Sequence, residues 1–308
     1  MLNGYPTGDA ADWRARYEPV IERELGEPVE DAVFTAVVVT WEGGAASMGD
    51  CLSAIARAAE NFDQPVEVLV VDNAAPTQLA DELAGLWDRW VRFEKNLQLS
   101  PARNLGVVLA SADIVGFVDD DGLVADDYFT NALPYFDDPD VVAIRGRVAP
   151  REHPYFTTLA IHYDRGTSPV DDALVTEGAS FVRRQSYVDA GGFPDEIMGH
   201  EGIALSYRLQ NTRPDGRTLY VPDVVLHHDY LDSWQAFFKK VTGYSDSAQQ
   251  FTHRSPEVAR FMKEFFARSY PRRKLTIKEE LARTGLRALR TALRGGVKLK
   301  SLIDKANP

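Results

Sequence analysis

Hydrophobic residues in the first half of the chain fall into short clusters whose spacing predicts alternating strands and helices. Four clusters are rich in β-branched and aromatic residues and do not alternate with polar ones, which is typical of strands covered on both faces. These clusters occupy residues 34–40, 66–71, 90–93 and 114–118. Stretches with helical spacing separate them, at residues 48–62, 79–86 and 101–109. This alternation predicts an α/β fold with a mostly parallel, doubly wound sheet.

The pattern changes after residue 125, and three segments can be distinguished along the chain. Residues 1–32 are expected to form a mainly helical N-terminal extension. Residues 33–230 form the main domain, and their second part, 126–230, mixes helices, strands and a loop-rich stretch in an α+β pattern. Residues 231–308 keep helical spacing to the end and predict a basic, helical C-terminal extension.

The composition indicates a folded protein with one large hydrophobic core. The chain has 308 residues, of which 44% are hydrophobic, and no apolar run approaches the roughly 20 residues that cross a bilayer. Its first residues lack the basic flank and the apolar stretch of a secretory signal. The single cysteine, Cys51, excludes an internal disulfide framework and a cysteine-rich zinc site. We therefore expect a cytoplasmic protein.

The net charge of −12 is unevenly distributed and constrains the partners. Residues 1–267 contain 22 basic and 43 acidic residues, a net charge of −21, whereas residues 268–300 carry +9. An acidic body repels nucleic acid, because binding to nucleic acid depends on neutralising phosphates. An anionic substrate would need a local device, such as a metal ion, a helix N-terminus or a single arginine.

The basic C-terminal stretch has an apolar stripe at approximately helical spacing. Its members are Leu275, Ile277, Leu281, Leu286, Leu289 and Leu293. A basic amphipathic helix can pack on an acidic protein surface, in the same protomer or in a homo-oligomer, or can make peripheral contact with an anionic membrane. The charge of the body favours protein docking over membrane association.

Polar residues follow the predicted strands at the points where ligands bind in open α/β sheets. They are Thr40 and Glu42, Asp72, Asn96, and the triplet Asp119, Asp120 and Asp121. Three adjacent carboxylates repel one another, and a hard divalent cation such as Mg²⁺ or Mn²⁺ would relieve that repulsion. A solvated acidic turn is the alternative interpretation of the triplet by itself.

Four segments in this order resemble the family 2 inverting glycosyltransferases, which have a GT-A fold. They are TAVVVTWEG (35–43), VEVLVVDNAAPT (66–77), NLQLSPARNLGVVLASADIVGFVDDDG (96–122) and EGASFVRRQSYVDAGGFPDEIMGHEGIALSYRL (177–209). The resemblance covers about residues 34–230. It implies a nucleotide-sugar donor of the UDP or dTDP type, bound by residues 33–125. It also implies a glycan, lipid-linked or small-molecule hydroxyl acceptor, bound by residues 126–230.

The resemblance also implies roles for individual residues. It assigns Thr40, Glu42 and Asp72 to the base and ribose, and it directs the A-R-N-x-G element with Arg103 toward the donor. Asn96, Asp119 and Asp120 are expected in the same donor site. Asp121, Asp119 and His227 are the expected ligands of Mn²⁺ or Mg²⁺, the last because the family often has a histidine at this late position.

The catalytic base is where the sequence departs from the family. The family places an acidic pair after its G-G-F-D-E element, and here the pair reads Glu201-Gly202. Glu201 is the expected base, with His200 or another carboxylate, such as Asp195, as alternatives. Loss of the second acid also leaves open a catalytically silent nucleotide-sugar-binding module. Gly202 is expected to leave room for a bulkier acceptor.

Overall fold

The computed structural model describes residues 10–42, 44–194, 200–241, 255–271 and 273–306. Two compact units can be distinguished by their internal contacts. The first contains the described residues up to Val148 together with Thr167–His227, and the second contains Ala149–Gly166 and the described residues from His228 onward. The predicted domain limits at residues 32 and 230 stay predictions.

The first unit is built on one ten-stranded sheet, in the order β1-β4-β3-β2-β5-β9-β7-β10-β6, with β8 paired to β10. The strands are β1 Ile21–Gly26, β2 Phe34–Thr40, β3 Val66–Asp72, β4 Arg89–Phe93, β5 Ile114–Asp119, β6 Leu123–Val124, β7 Val141–Ala149, β8 Val170–Asp171, β9 Ala179–Arg183 and β10 Arg217–His227. Parallel pairing joins β4, β3, β2 and β5. Antiparallel strands extend the sheet on both sides, so the predicted α/β fold is confirmed with its parallel part in the first half.

Helices cover the sheet as the sequence pattern predicts, with small differences in their limits. They are α1 Ala10–Tyr17, α2 Ala45–Glu60, α3 Leu99–Leu109, α4 Tyr128–Ala132, α6 Arg184–Asp189 and α7 Glu201–Thr212. Helix α3 begins at Leu99, two residues before the predicted start, and Gln98 precedes it with a left-handed φ of 74°. A Cβ at Gly106 would lie too close to Val37, so this glycine allows α3 to pack closely on β2.

The N-terminal segment differs from the expectation of a mainly helical extension. Helix α1 ends at Tyr17, and residues 21–26 form a strand that pairs antiparallel with β4. Pro19 follows the end of α1 and is compatible with the short 3-10 turn found there. Trp13 and Tyr17 lie in the hydrophobic core of the first unit, so this segment is part of the main fold.

One other sequence-based assignment is corrected by the structure. Residues 79–86 form turns instead of a short helix, although Leu79 and Leu83 are buried as a helical pattern would require. Farther along, α4 is followed by a 3-10 helix, Leu133–Asp137, because Pro134 cannot donate the next helical hydrogen bond.

The second unit is helical, as the C-terminal spacing predicts. It contains α5 Pro154–Thr157, a helix that includes residues 234–241, α8 Pro256–Ala267 and α9 Ile277–Ala306. Leu286 belongs to a small core with Phe156, Phe237 and Val241, and Leu289 and Leu293 pack against it. Ile277 and Leu281 of the same stripe are 82% and 69% exposed, so only its later part is covered in this unit. None of the described helices is long and apolar enough to cross a membrane.

Candidate active site

The carboxyl ends of β2 and β3 lie side by side and carry polar residues that the sequence assigns to the donor. Thr40, the last residue of β2, is in register with Asp72, the last residue of β3. The Asn73 amide donates to the Thr40 carbonyl oxygen at 2.8 Å, which joins the strand ends beyond that pair. Glu42 follows two residues after β2 and is exposed. Thr40, Glu42 and Asp72 therefore lie at or just beyond one edge of the sheet.

The Asp72 carboxylate is buried and holds together the turn that follows β3. Its Oδ1 accepts a hydrogen bond from the Ala75 amide at 2.8 Å. Its Oδ2 accepts from the Trp90 indole N–H at 3.3 Å and from the Arg92 guanidinium at 2.6 Å. With 1% of its side chain exposed, Asp72 anchors the strand end, and its use in base recognition stays a prediction.

Asn96 helps to shape the loop that begins α3. The Asn73 amide group donates to Asn96 Oδ1 and to the Gln98 carbonyl oxygen, both at 3.1 Å, and Asn73 Oδ1 accepts from the Leu97 amide at 2.8 Å. Asn96 Oδ1 also accepts from the Gln98 amide at 2.7 Å. These bonds fix the start of α3 against the end of β3, and they thereby fix the direction of the side chains on its first turns.

Arg103 of α3 extends to the end of β5, where the aspartate triplet begins. Its guanidinium donates to Asp119 Oδ1 at 2.7 Å, and the two side chains are 7% and 39% exposed. The guanidinium carbon also lies 6.0 Å from the centre of the Phe117 ring and 5.6 Å from that of Phe193. These rings hold a buried positive charge beneath the acidic turn.

The next residues of the A-R-N-x-G element are structural. Asn104 is completely buried, and its amide group donates to the Phe193 carbonyl oxygen at 3.0 Å. Its Oδ1 accepts from the Phe193 amide at 3.0 Å and from the Tyr187 hydroxyl. Asn104 therefore fixes the Gly191-Gly192-Phe193 loop.

The aspartate triplet forms a tight turn that α2 supports from below. The Gly122 amide donates to the Asp119 carbonyl oxygen at 2.9 Å. The Ser47 hydroxyl and the Cys51 thiol donate to the carbonyl oxygens of Asp120 and Asp119, both at 3.4 Å. Burial raises the pKa of the Cys51 thiol well above its usual value, so this group stays neutral and serves as a donor.

The middle carboxylate of the triplet, Asp120, has a raised pKa. Burial, with a smaller contribution from the charges of Asp121 and Asp119, raises the pKa of Asp120 from an ordinary 3.8 to about 6. A neighbouring Thr40 hydroxyl offsets part of this effect. The turn therefore concentrates negative charge, which is a property of cation sites as well as of catalytic ones.

His227 is brought to the same turn by strand pairing. It is the last residue of β10 and lies in antiparallel register with Leu123, two residues after Asp121. Both His227 and Asp121 are exposed. No three acidic, histidine or cysteine side chains in the described part of the chain converge closely enough to hold a metal ion by themselves.

This donor set fits a divalent cation that shares its coordination with a ligand. Mg²⁺ is usually bound by one or two carboxylates plus substrate phosphates instead of by a complete protein cage, and Mn²⁺ accepts both carboxylate and imidazole. The side chains of Asp121 and His227 are exposed at this turn, and that of Asp119 is partly exposed beside Arg103. The predicted ligands are thus near one another, and their metal role stays a prediction.

The first two residues of α7 are Glu201, the expected base, and Gly202, whose surroundings differ from the expectation. Glu201 is the first residue of α7 and is partly buried. A Cβ at Gly202 would overlap the Leu174 carbonyl oxygen and lie 2.6 Å from Glu177 Oε1. The expectation that Gly202 leaves room for a bulkier acceptor is therefore wrong, because residues 174–177 fill that space.

Glu177 is a residue of this site that the sequence did not single out. Its Oε1 accepts a hydrogen bond from the Gly202 amide at 2.7 Å, at the N-terminus of α7. Burial raises the pKa of Glu177 well above the ordinary carboxyl range, Glu201 raises it further, and Arg103 opposes the shift. The only sequence signal for Glu177 was its place directly before a glycine, Gly178. In the structure a Cβ at position 178 would overlap the Asp119 carboxylate.

Of the two alternative bases, His200 and Asp195, the structure describes only His200. His200 precedes α7 with a φ of 78°, a left-handed conformation that is uncommon for a residue with a side chain. Burial lowers the pKa of His200, which favours the neutral imidazole. Asp195 lies outside the described residues.

Comparisons with known proteins agree on one family. Residues 35–199, just over half of the chain, match the model of glycosyl transferase family 2. A pre-mycofactocin glycosyltransferase of Mycobacterium tuberculosis is 26% identical over 206 residues, which is 62% of this chain and 43% of that protein. The chain therefore matches less than half of the length of this curated relative.

Solved structures show the same fold at low sequence identity. The mannosyltransferase PcManGT from Pyrobaculum calidifontis, in complex with GDP-Man and Mn²⁺, has a TM-score of 0.55 and 18% identity, with 96% of this chain and 93% of that chain covered. GalNAc-T7 with UDP, GalNAc and Mn²⁺ has a TM-score of 0.52 and 15% identity over 77% and 55% of the two chains. The sheet, the strand-end site and the family match together lead to one conclusion: this chain belongs to glycosyl transferase family 2 and has a GT-A-like fold.

Proposed function

We propose that the chain is a glycosyltransferase that moves a sugar from a nucleoside-diphosphate sugar to an acceptor hydroxyl, with inversion at the anomeric carbon. The observation that carries the proposal is the 2.7 Å ion pair between Arg103 and Asp119 at the ends of the parallel strands. An acidic turn alone would repel a diphosphate, whereas a buried cation beside it allows charge pairing. The family match and the name of the curated relative support the same activity.

The donor is bound at the edge formed by β2, β3 and β5. Thr40, Glu42 and Asp72 contact the base and ribose, and Asn96 fixes the loop that orients α3. Because backbone and side-chain hydrogen bonds join the strand ends to the following loops, these groups need little rearrangement to meet a ligand. We favour a UDP- or dTDP-sugar, and the GDP-Man bound by PcManGT makes a GDP-sugar a donor to include in tests.

The diphosphate is held by charge at the aspartate turn. Asp121, Asp119 and His227 would hold a Mn²⁺ or Mg²⁺ ion, which when bound acts as a Lewis acid that neutralises the departing diphosphate. Arg103 contributes fixed positive charge from below. Asp120 stays within the turn, where it adds to the negative potential that attracts the cation.

Inverting transfer requires a base on the acceptor side of the sugar. Two carboxylates meet at the start of α7: Glu201 is its first residue, and Glu177, from the segment before β9, accepts the Gly202 amide. Glu201 is the base that the sequence favours. The acceptor is a glycan, a lipid-linked intermediate or a small molecule, and the chain's own acidity argues against nucleic acid.

The proposal is tested by incubating the protein with manganese and UDP-glucose, dTDP-glucose or GDP-mannose. Released nucleoside diphosphate is measured with and without candidate hydroxyl acceptors, and proton NMR of the product gives the anomeric configuration. We expect metal-dependent release with at least one donor, and an Asp121→Asn variant that has lost it while the exposed control Asp63→Asn has not. Saturable donor binding without release in any acceptor tested would instead identify a silent nucleotide-sugar-binding module.

A further inference from the structure

The carboxylate of Glu177 lies close to position 202, where the side chain of the family's second acid would start. The family resemblance places an aspartate at position 202, and this chain has glycine there. Glu177 Oε1 lies 2.6 Å from the position of a Cβ at Gly202 and accepts its backbone amide at 2.7 Å. A carboxylate from another segment of the chain therefore occupies the start of α7 in place of the one that position 202 lacks.

The packing around Gly202 explains how Glu177 can lie so close to the start of α7. The Leu174 carbonyl oxygen would overlap any side chain at position 202, so the segment before β9 can approach α7 this closely only because Gly202 has no Cβ. The Leu174 amide also donates to the Ser206 hydroxyl at 2.9 Å, one turn farther along α7. Gly202 and Glu177 are thus two parts of one arrangement.

The surroundings of Glu177 connect it to the donor side of the site. Strand register places Ala179 opposite Val118, and Gly178 lies directly against the Asp119 carboxylate. The charged groups that act on Glu177 are Glu201 from α7 and Arg103 from α3. Glu177 is therefore situated between the aspartate turn and the start of α7, and it is partly accessible to solvent.

We propose that Glu177 is the catalytic base of this chain and that Glu201 tunes it as a neighbouring charge. The inference rests on the proposed function and names one of its residues. Glu177 Oε takes the proton of the acceptor hydroxyl while the acceptor oxygen forms a bond to the anomeric carbon. The bond from that carbon to the diphosphate oxygen breaks at the same time, and the electron pair leaves with the nucleoside diphosphate. The raised proton affinity of Glu177 suits it to accept a proton near neutral pH.

A purely structural role must be separated from catalysis, because Glu177 also caps α7. Glu177→Gln keeps an oxygen that can accept the Gly202 amide but cannot take a proton. The donor that the wild type turns over in the panel above is used with saturating manganese, and kcat, donor KM and the melting temperature are measured. The matched control is Glu60→Gln, an exposed carboxylate at the end of α2.

We expect Glu177→Gln to lose kcat by roughly 100-fold or more, with donor KM within about threefold and a melting temperature no lower than that of the wild type, because the amide removes the cost of a buried charge. The rise of kcat with pH should disappear in this variant. In Glu201→Gln that rise should persist with its midpoint at lower pH, because loss of the neighbouring negative charge makes Glu177 easier to ionise.

Other results would overturn the assignment. Glu177→Gln with kcat within about threefold of the wild type would reduce Glu177 to a helix cap. Loss of turnover in Glu201→Gln but not in Glu177→Gln would return the base to Glu201. Wild-type protein that binds donors but releases no nucleoside diphosphate would remove the proposed function itself, and this inference with it.

Discussion

Replacing Asp120 with asparagine should stabilise the metal-free protein at neutral pH. Burial raises the pKa of Asp120 from 3.8 to about 6, so the folded state holds the proton more tightly than the unfolded chain does. A shift of about two units corresponds to roughly 3 kcal/mol. Well above pH 6 the carboxylate is ionised in both states, and the folded state bears the full free-energy cost of burying its charge. As the pH falls below 3.8 it becomes protonated in both states and the cost disappears.

The free energy of unfolding of wild type and Asp120→Asn is compared by denaturant titration in chelator at pH 4 and pH 7.5. The advantage of the variant should grow by about 2.5 kcal/mol between these two values, because part of the cost is already present at pH 4. The exposed control Asp63→Asn should show no such growth. A difference between wild type and Asp120→Asn that is the same at both pH values would refute the idea that the folded state disfavours the ionised form of Asp120.

Three further substitutions test the geometry of the site and its surroundings. Gly178→Ala should displace the Asp119 carboxylate from Arg103, because a Cβ there would overlap it, so that manganese-dependent nucleotide binding weakens; unchanged binding would count against Asp119 as a ligand. Gly202→Ala should destabilise the fold by roughly 2 kcal/mol or more in denaturant titration, since the Leu174 backbone must move, and a neutral result would disprove the close packing. Gly285→Ala, in open space on α9, should instead stabilise it by up to about 1 kcal/mol, and destabilisation there would show a contact that the structure lacks.

The parallel core of the fold could be predicted because its strands are continuous buried runs. The strand β2 has six buried residues of seven, and a run of β-branched residues of this kind has few other structures available. Strand β1 was missed for the opposite reason. Three of the six residues of Ile21–Gly26 are charged and four are exposed, so an edge strand of this kind shows no apolar pattern that would distinguish it from a helix.

The candidate site was predictable where it follows strand ends and not where it depends on antiparallel register. The aspartate triplet and Arg103 lie together as the sequence order indicates, because β2 and β5 are parallel neighbours. Glu177 could not be found in this way. Its position depends on β9 lying beside β5 with Ala179 opposite Val118, and a single sequence does not specify that register.

The central claim is that the aspartate turn binds a nucleoside diphosphate through a divalent cation. Isothermal titration calorimetry of UDP and of GDP, with manganese in excess and again with chelator, tests it most directly. The account predicts that chelation weakens binding by about tenfold or more, equivalent to at least 1.4 kcal/mol, and that Asp121→Asn does the same with manganese present. Equal affinity with and without the metal would contradict it.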